Sequence, residues 1–320
     1  MSTPTPSAKR ILVIRHGAFG DMIMAMGAFH AIRAFHAGAH ITLLTTAPFV
    51  GLVEGSAYFD RIVVDDRPKL WRLGRWWRLA RSLRNPRFDR VYDLQRSQRT
   101  DLLYRVITAG RQTEWSGVTP GCSHFVHDDR QDGRHILDKL AEQLHTAGLP
   151  KLPPSDITWM TGDVDRFHLP RPYGLIIAGC TPRRPEKRAP AKFFADFAEW
   201  LLSQGITPVL LGTTKEKEQI DAVQAACPRV INLCDRTGFG DIAALARGAV
   251  GALGNDTGAM HLIAATGCPT LVLFSGASDP KIVAPRGACV RILQREPLSA
   301  LPMEDAIRTW ERMLSDPKRT

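Results

Sequence analysis

Short apolar runs recur along this 320-residue chain at the spacing of alternating strands and helices. Residues 11–14, 41–44, 62–64 and 90–94 are rich in Ile, Leu and Val, with helical patterns between them, the first over 21–35. Runs without polar alternation suit strands of a parallel sheet covered on both faces. A second series follows, with strands predicted over 175–178, 208–211, 230–233, 250–253 and 270–274. Its helices are expected at 192–204, 215–226, 241–247 and 260–266. Residues 303–314 form a last helix, with Ile307, Trp310, Glu311 and Leu314 at helical spacing. Between the series, the stretch 150–172 is rich in proline and polar residues and reads as the linker. The pattern predicts an α/β protein of two Rossmann-like domains, whose parallel sheets face a central cleft. Their bounds are placed at 1–165 and 166–300, with 301–320 packing back on the first domain.

Length supports two domains. Composition adds charge: 42 Lys and Arg against 32 Asp and Glu give a formal +10. That excess favours acidic partners such as phosphorylated ligands, anionic lipid or nucleic acid, unless it only solubilises the surface. The six cysteines form no C-x-x-C pair, which fits reduced thiols and gives no metal spacing. No apolar leader precedes the first strand, and no apolar run approaches the roughly 20 residues that span a bilayer. A cytoplasmic location is expected, with peripheral attachment to the membrane's inner face open. No G-x-G-x-x-G follows a strand, which disfavours a nicotinamide dehydrogenase. Asp163 and Asp165 match a metal-binding D-x-D but fall in the linker, so they read as solvated charge. Asp65–Asp66 and Asp128–Asp129 read as turn residues. Neither metal nor cofactor is expected.

Three segments carry candidate chemistry. In 254–262, a Gly-Asn-Asp-Thr-Gly stretch lies between a strand and a helix. Free N–H groups and the helix dipole there favour an anion such as a diphosphate. Asp256 would repel phosphate, and fits better holding a sugar hydroxyl or the loop itself. The alternative is an Asn/Asp/Thr helix cap without a ligand. Residues 179–188, leaving the first strand of the same half, add the cations Arg183, Arg184, Lys187 and Arg188 at that sheet edge. In the N-terminal half, 15–21 joins the first strand to the first helix, with Asp21 a base or a helix cap.

Together these segments resemble glycosyltransferase family 9, the heptosyltransferases of the lipopolysaccharide inner core. The matching motifs are Pro185-Glu186-Lys187-Arg188, the loop from Gly254 to His261, and Phe274-Ser275-Gly276 followed by Asp279-Pro280. Arg15 and Gly20-Asp21 match the family's Arg-x-x-x-x-Gly-Asp loop. The resemblance implies an inverting, metal-independent transfer of a sugar, typically heptose from ADP-heptose, to an acidic glycolipid or oligosaccharide. It makes Asp21 the base and Lys187 a diphosphate contact. Thr257 and Gly258 would cradle the diphosphate, Asp256 would bind the transferred sugar, and His261 would support the loop or the phosphate. Thr181 and Arg183 join the donor site, and Glu216 sits where the family binds ribose. From the residues themselves, Arg15 and His16 could bind an acidic acceptor or simply cap the sheet edge, with His16 an alternative base or an incidental loop histidine. Ala189 departs from the Trp usual there, which implies a different donor wall or acceptor-side packing. Rival readings are a nucleotide-sugar epimerase of the same architecture and a nucleic-acid-binding protein, which would leave the glycine-rich loops without a task.

One segment stands apart. Over 71–84, Leu73, Trp76, Trp77, Ala80 and Leu83 are predicted to share one helix face, with Arg72, Arg75, Arg78 and Arg81 around the rest. This suits an anionic membrane interface or a phosphorylated glycolipid acceptor, or an outer helix that buries its Trp face and shows arginines to water.

Overall fold

β-Branched and aliphatic runs become the inner strands of two parallel sheets in a computed structural model, which describes residues 9–69, 71–127, 132–180 and 184–316. The chain divides between Asp156 and Ile157. The first unit runs β1 (Arg10–Ile14), α1 (Phe19–Met24), α2 (Met26–Phe35), β2 (His40–Thr45), α3 (Val50–Val53), β3 (Arg61–Val64) and α4 (Leu73–Arg84). It continues through β4 (Arg90–Asp93), α5 (Gln98–Thr108), β5 (Glu114–Gly117), β6 (His124–Phe125) and α6 (Ile136–Thr146). The second opens with β7 (Tyr173–Ile177), α7 (Ala191–Ser203), β8 (Thr207–Leu210), α8 (Lys217–Ala226), β9 (Ile231–Asn232) and α9 (Phe239–Gly248). It ends with β10 (Ala252–Asn255), α10 (Gly258–Ala265), β11 (Thr270–Phe274), α11 (Pro280–Val283), β12 (Val290–Gln294) and α12 (Met303–Leu314).

Each unit holds one six-stranded sheet, ordered β3-β2-β1-β4-β5-β6 in the first and β12-β11-β10-β7-β8-β9 in the second. Read from its own first strand, the second has the same 3-2-1-4-5-6 order, the arrangement of dinucleotide-binding folds. All strand pairs are parallel, and β1 pairs with β4 so that Ile14 stands opposite Asp93. In the first unit Leu12, Ile14, Val91 and Trp115 meet Leu79 and Leu83 of α4 and Leu103 and Ile107 of α5. Among the described residues no helix is long and apolar enough to cross a membrane.

Three expectations are corrected. The helix 303–314 belongs to the second unit, not the first. Its Trp310 is buried edge-on against Phe197 of α7 (centroids 5.2 Å apart), with Ala306 and Met313 in the same core. The stretch 150–172 is not a free linker. Ser155 Oγ donates to the Ile23 carbonyl on one side of the division, while Arg247 on the other donates to the Ile157 and Met160 carbonyls. The buried stripe of α4 is Trp76, Leu79 and Leu83, whereas Leu73 and Trp77 stand in solvent.

Candidate active site

The strand order reverses between β1 and β4 in one sheet and between β7 and β10 in the other. Ligands of open α/β sheets gather beyond the carboxyl ends of such strands. The loops leaving these four strands hold most of the candidate residues.

In the second unit, Gly254 lets β10 close on its neighbours. A Cβ there would stand 2.7 Å from Ile177 Cβ and 2.8 Å from Met260 Sδ. The next residue, Asn255, is fully buried. Its Nδ2 donates to the Ala178 carbonyl (2.7 Å) and its Oδ1 accepts from the Ala189 N–H (3.0 Å). One side chain thus fixes β10 to the end of β7 and to the residue after the Lys187–Arg188 pair. Ala189 is itself fully buried in the core, and its carbonyl accepts from Gln219. At this position the small side chain is part of the core.

Lys187, in a turn at Pro185–Lys187, places Nζ 2.6 Å from Asp256 Oδ2, with both side chains largely buried. That contact answers the oddity of a carboxylate in a phosphate cradle, because its charge is already met. Thr257 precedes α10 in extended conformation, but its side chain makes no capping hydrogen bond. Its buried Oγ1 has no partner among the described residues. Nor do the Gly258 and Ala259 amides, the first of the helix, meet an acceptor there. The expected alternative of a satisfied Asn/Asp/Thr cap is therefore not what forms: Asn255 braces backbone, Asp256 pairs with Lys187, and Thr257 makes no capping hydrogen bond. His261 is buried one turn on. Glu216 Oε2 accepts from the Thr213 N–H and hydroxyl, and its stem lies where a Cβ on Gly179 would come within 2.4 Å of Glu216 Cγ. It thus reaches the same sheet edge while capping its own turn. Thr181 and Arg183 lie outside the described residues, as do Asp128 and Asp129.

In the first unit, Gly17 turns the loop after β1 at φ +119°, with Phe49 packed where a Cβ would stand. Asp21 is the third residue of α1. Its Oδ2 accepts from the Ala18 N–H (2.9 Å), so it does cap the helix, while its Oδ1 meets Arg15 Nη2 at 3.1 Å. Buried Arg15 also donates to the Leu94 carbonyl. Burial lowers its pKa, and the charges of Asp21 and Asp93 oppose that shift. A pocket opens beside this pair, lined by Arg15, Asp21, Gln95, Arg96, Ile136 and Lys139. Sequence reasoning assigned no role to Gln95, Arg96 or Lys139, which reach the pocket only through the β1–β4 pairing and the fold of α6.

Of the alternatives for His16, the scaffold placement is the one that forms. The residue is buried, with Nε2 3.1 Å from Asp65 Oδ2, so its ring serves the scaffold and not the pocket. Asp65 is no mere turn residue, since both its oxygens also accept from Arg99 at 2.7 Å. Burial would raise its pKa, but the hydrogen bonds from His16 and Arg99 hold it well below the usual carboxylate range.

Known proteins agree with this frame. A model of Glycosyltransferase family 9 (heptosyltransferase) matches residues 76–309. The chain belongs to that family. It is a glycosyltransferase. Lipopolysaccharide heptosyltransferase 2 of Escherichia coli K12 is 23% identical to this family 9 member over 306 residues, covering 89% of this chain and 88% of the relative. A glycosyl transferase family 9 structure from Veillonella parvula superposes with a TM-score of 0.81 at 21% identity, covering 96% of this chain and 97% of that one. The E. coli heptosyltransferase WaaC with ADP gives 0.76 at 17%, covering 95% and 99%. The fold is the GT-B type of two Rossmann-like domains.

Proposed function

We propose that this enzyme moves a heptose from ADP-heptose to a lipopolysaccharide core sugar or related acidic glycolipid, at the inner face of the cytoplasmic membrane. One observation supports the donor half above all. The start of α10 offers amides at Gly258 and Ala259 and a Thr257 hydroxyl that have no partner among the described residues, directly after Asp256, the partner of Lys187. Such a group of donors suits a diphosphate. Relatives named as heptosyltransferases, and a similar fold with ADP, support the sugar and nucleotide.

In this reading Lys187, Thr257 and the α10 amides hold the diphosphate, and Asp256 turns to the sugar hydroxyls. Glu216 takes the ribose and His261 braces the helix. Thr181 and Arg183 are assigned to the donor on family resemblance alone. Asp21 takes the proton of the acceptor hydroxyl as its oxygen bonds to the anomeric carbon, while the bond to the diphosphate breaks on the opposite face. Lys187 and the amides meet the charge that develops on the departing ADP, so the step calls for no metal. Arg15 orients Asp21, and with Arg96 and Lys139 gives an acidic acceptor a cationic pocket. An epimerase is not favoured, because the family match is to glycosyltransferases.

The test is product formation from ADP-heptose and a core glycolipid, followed by mass spectrometry. Asp21→Asn is expected to lower turnover by roughly 10²–10⁴ while ADP affinity stays within about twofold. Wild-type turnover in that variant refutes the base, and no product from the wild type refutes the donor.

A further inference from the structure

Six large apolar side chains stand exposed among the described residues, and four of them lie between 64 and 77. They are Val64 (42% exposed), Trp71 (72%), Leu73 (74%) and Trp77 (61%). Scattered single residues need no explanation, but this concentration does. The buried side of α4 is already filled by Trp76, Leu79 and Leu83, with Arg99 stacked 4.4 Å from the Trp76 ring. Leu73 and Trp77, one turn apart, are therefore surplus to the core.

The same surface is basic. Residues 64–84 contain six arginines and Lys69 against two acidic residues, Asp65 and Asp66, and Asp65 is buried against Arg99. Arg84 is spent on the Val106 and Ala109 carbonyls, and Arg75 only approaches Asp66 at 4.0 Å. Arg72 and Arg78 form no ion pair among the described residues. Two further cations lie over exposed rings, Arg81 at 5.1 Å from Trp77 and Lys69 at 4.9 Å from Trp71. Each of these pairs offers a ring for the acyl boundary and a cation for headgroup phosphates.

We infer that the apolar ridge of α4 and the loop before it, flanked by these arginines, docks the protein on an anionic lipid bilayer. A second copy of the chain would set arginines against arginines. A nucleic acid could stack on the tryptophans but would leave the aliphatic Val64 and Leu73 unused. An anionic leaflet satisfies both the charge and the saturated surface. The inference gives a physical means for the proposed work at a membrane, yet its test does not depend on sugar transfer.

The experiment is co-sedimentation of the full chain with vesicles of mixed phosphatidylglycerol and phosphatidylcholine, or of phosphatidylcholine alone. Binding is expected only with the anionic vesicles, and it should weaken as salt rises. Each arginine near the leaflet contributes about fivefold, or about 1 kcal/mol, so Arg78→Glu/Arg81→Glu should lower partitioning by more than roughly tenfold. Leu73→Ser/Trp77→Ser should lower it by roughly tenfold. Both variants change exposed positions, so thermal midpoints and turnover of a water-soluble, deacylated acceptor should match wild type. Equal binding to neutral vesicles, no binding to anionic ones, or full binding by either variant overturns the inference. So does a self-associated state that Leu73→Ser/Trp77→Ser dissolves, or preferential binding of single-stranded nucleic acid.

Discussion

Asp93 shows what it costs to build a charged pocket at the end of a buried strand. It is fully buried at the carboxyl end of β4, and burial pushes its pKa up to about 6. Opposing that shift are hydrogen bonds from Thr100 and from the Arg96 and Gln95 amides, and the nearby charge of His16. In the unfolded chain an Asp titrates near 3.9. Between those values the folded state binds the extra proton, so this group makes stability fall as pH rises from about 4 to about 6. Above that window its penalty is complete. Asp93→Asn keeps an oxygen for the Gln95 and Arg96 amides, and should remove a slope worth on the order of 2–3 kcal/mol across it. Urea unfolding at a series of pH values measures this, and parallel wild-type and variant curves would contradict it. The charge has a use, since it helps sustain Arg15, the partner of Asp21. Nothing in the sequence marks Asp93 for this task. Its neighbours Arg15 and His16 are nearly 80 positions away and meet it only because Ile14 pairs with Asp93. Asp65 escapes sequence reasoning for the same reason, as its partners come from the loop after β1 (His16) and from α5 (Arg99). By contrast Arg15, Asp21, Lys187 and Asp256 stand out in the sequence, because each lies in or beside a short loop with its own motif.

Among the elements, legibility follows burial. β1, β2, β7, β10 and β11 read as apolar runs because sheet neighbours and helices cover both their faces. β5, β6 and β12 left no such trace: they are short or half-exposed strands at or near a sheet edge. For α4 the helix was legible but not its rotation. Adjacent Trp76 and Trp77 have equal apolarity, and only the packing of Trp76 and Leu79 on the sheet decides which turns inward. The tightest junction is that of β7, β10 and α10 at Gly254. Gly254→Ala must push against Ile177 backbone and side chain, a cost of about 1–3 kcal/mol for an overpacked core. Since α10 starts four residues later, the same shift should weaken ADP binding. Chemical denaturation and ADP titration read the two effects, and a variant with wild-type stability would refute the close packing.

At the scale of the molecule, one strand order appears twice, and charged side chains gather at the switch point of each copy. The first unit gathers Arg15, Asp21, Arg96 and Lys139 at one pocket. The second gathers Lys187, Asp256 and the open start of α10. Part of the excess positive charge lies at these loops and along α4. The donor's place in the second unit is tested most directly by hydrogen–deuterium exchange with and without ADP, on wild type and Lys187→Ala. Protection in wild-type peptides 253–262 and 209–218, absent or much reduced in Lys187→Ala, is the expected result. No protection in the second unit, or protection confined to peptides around 15–21 and 93–97, would contradict it.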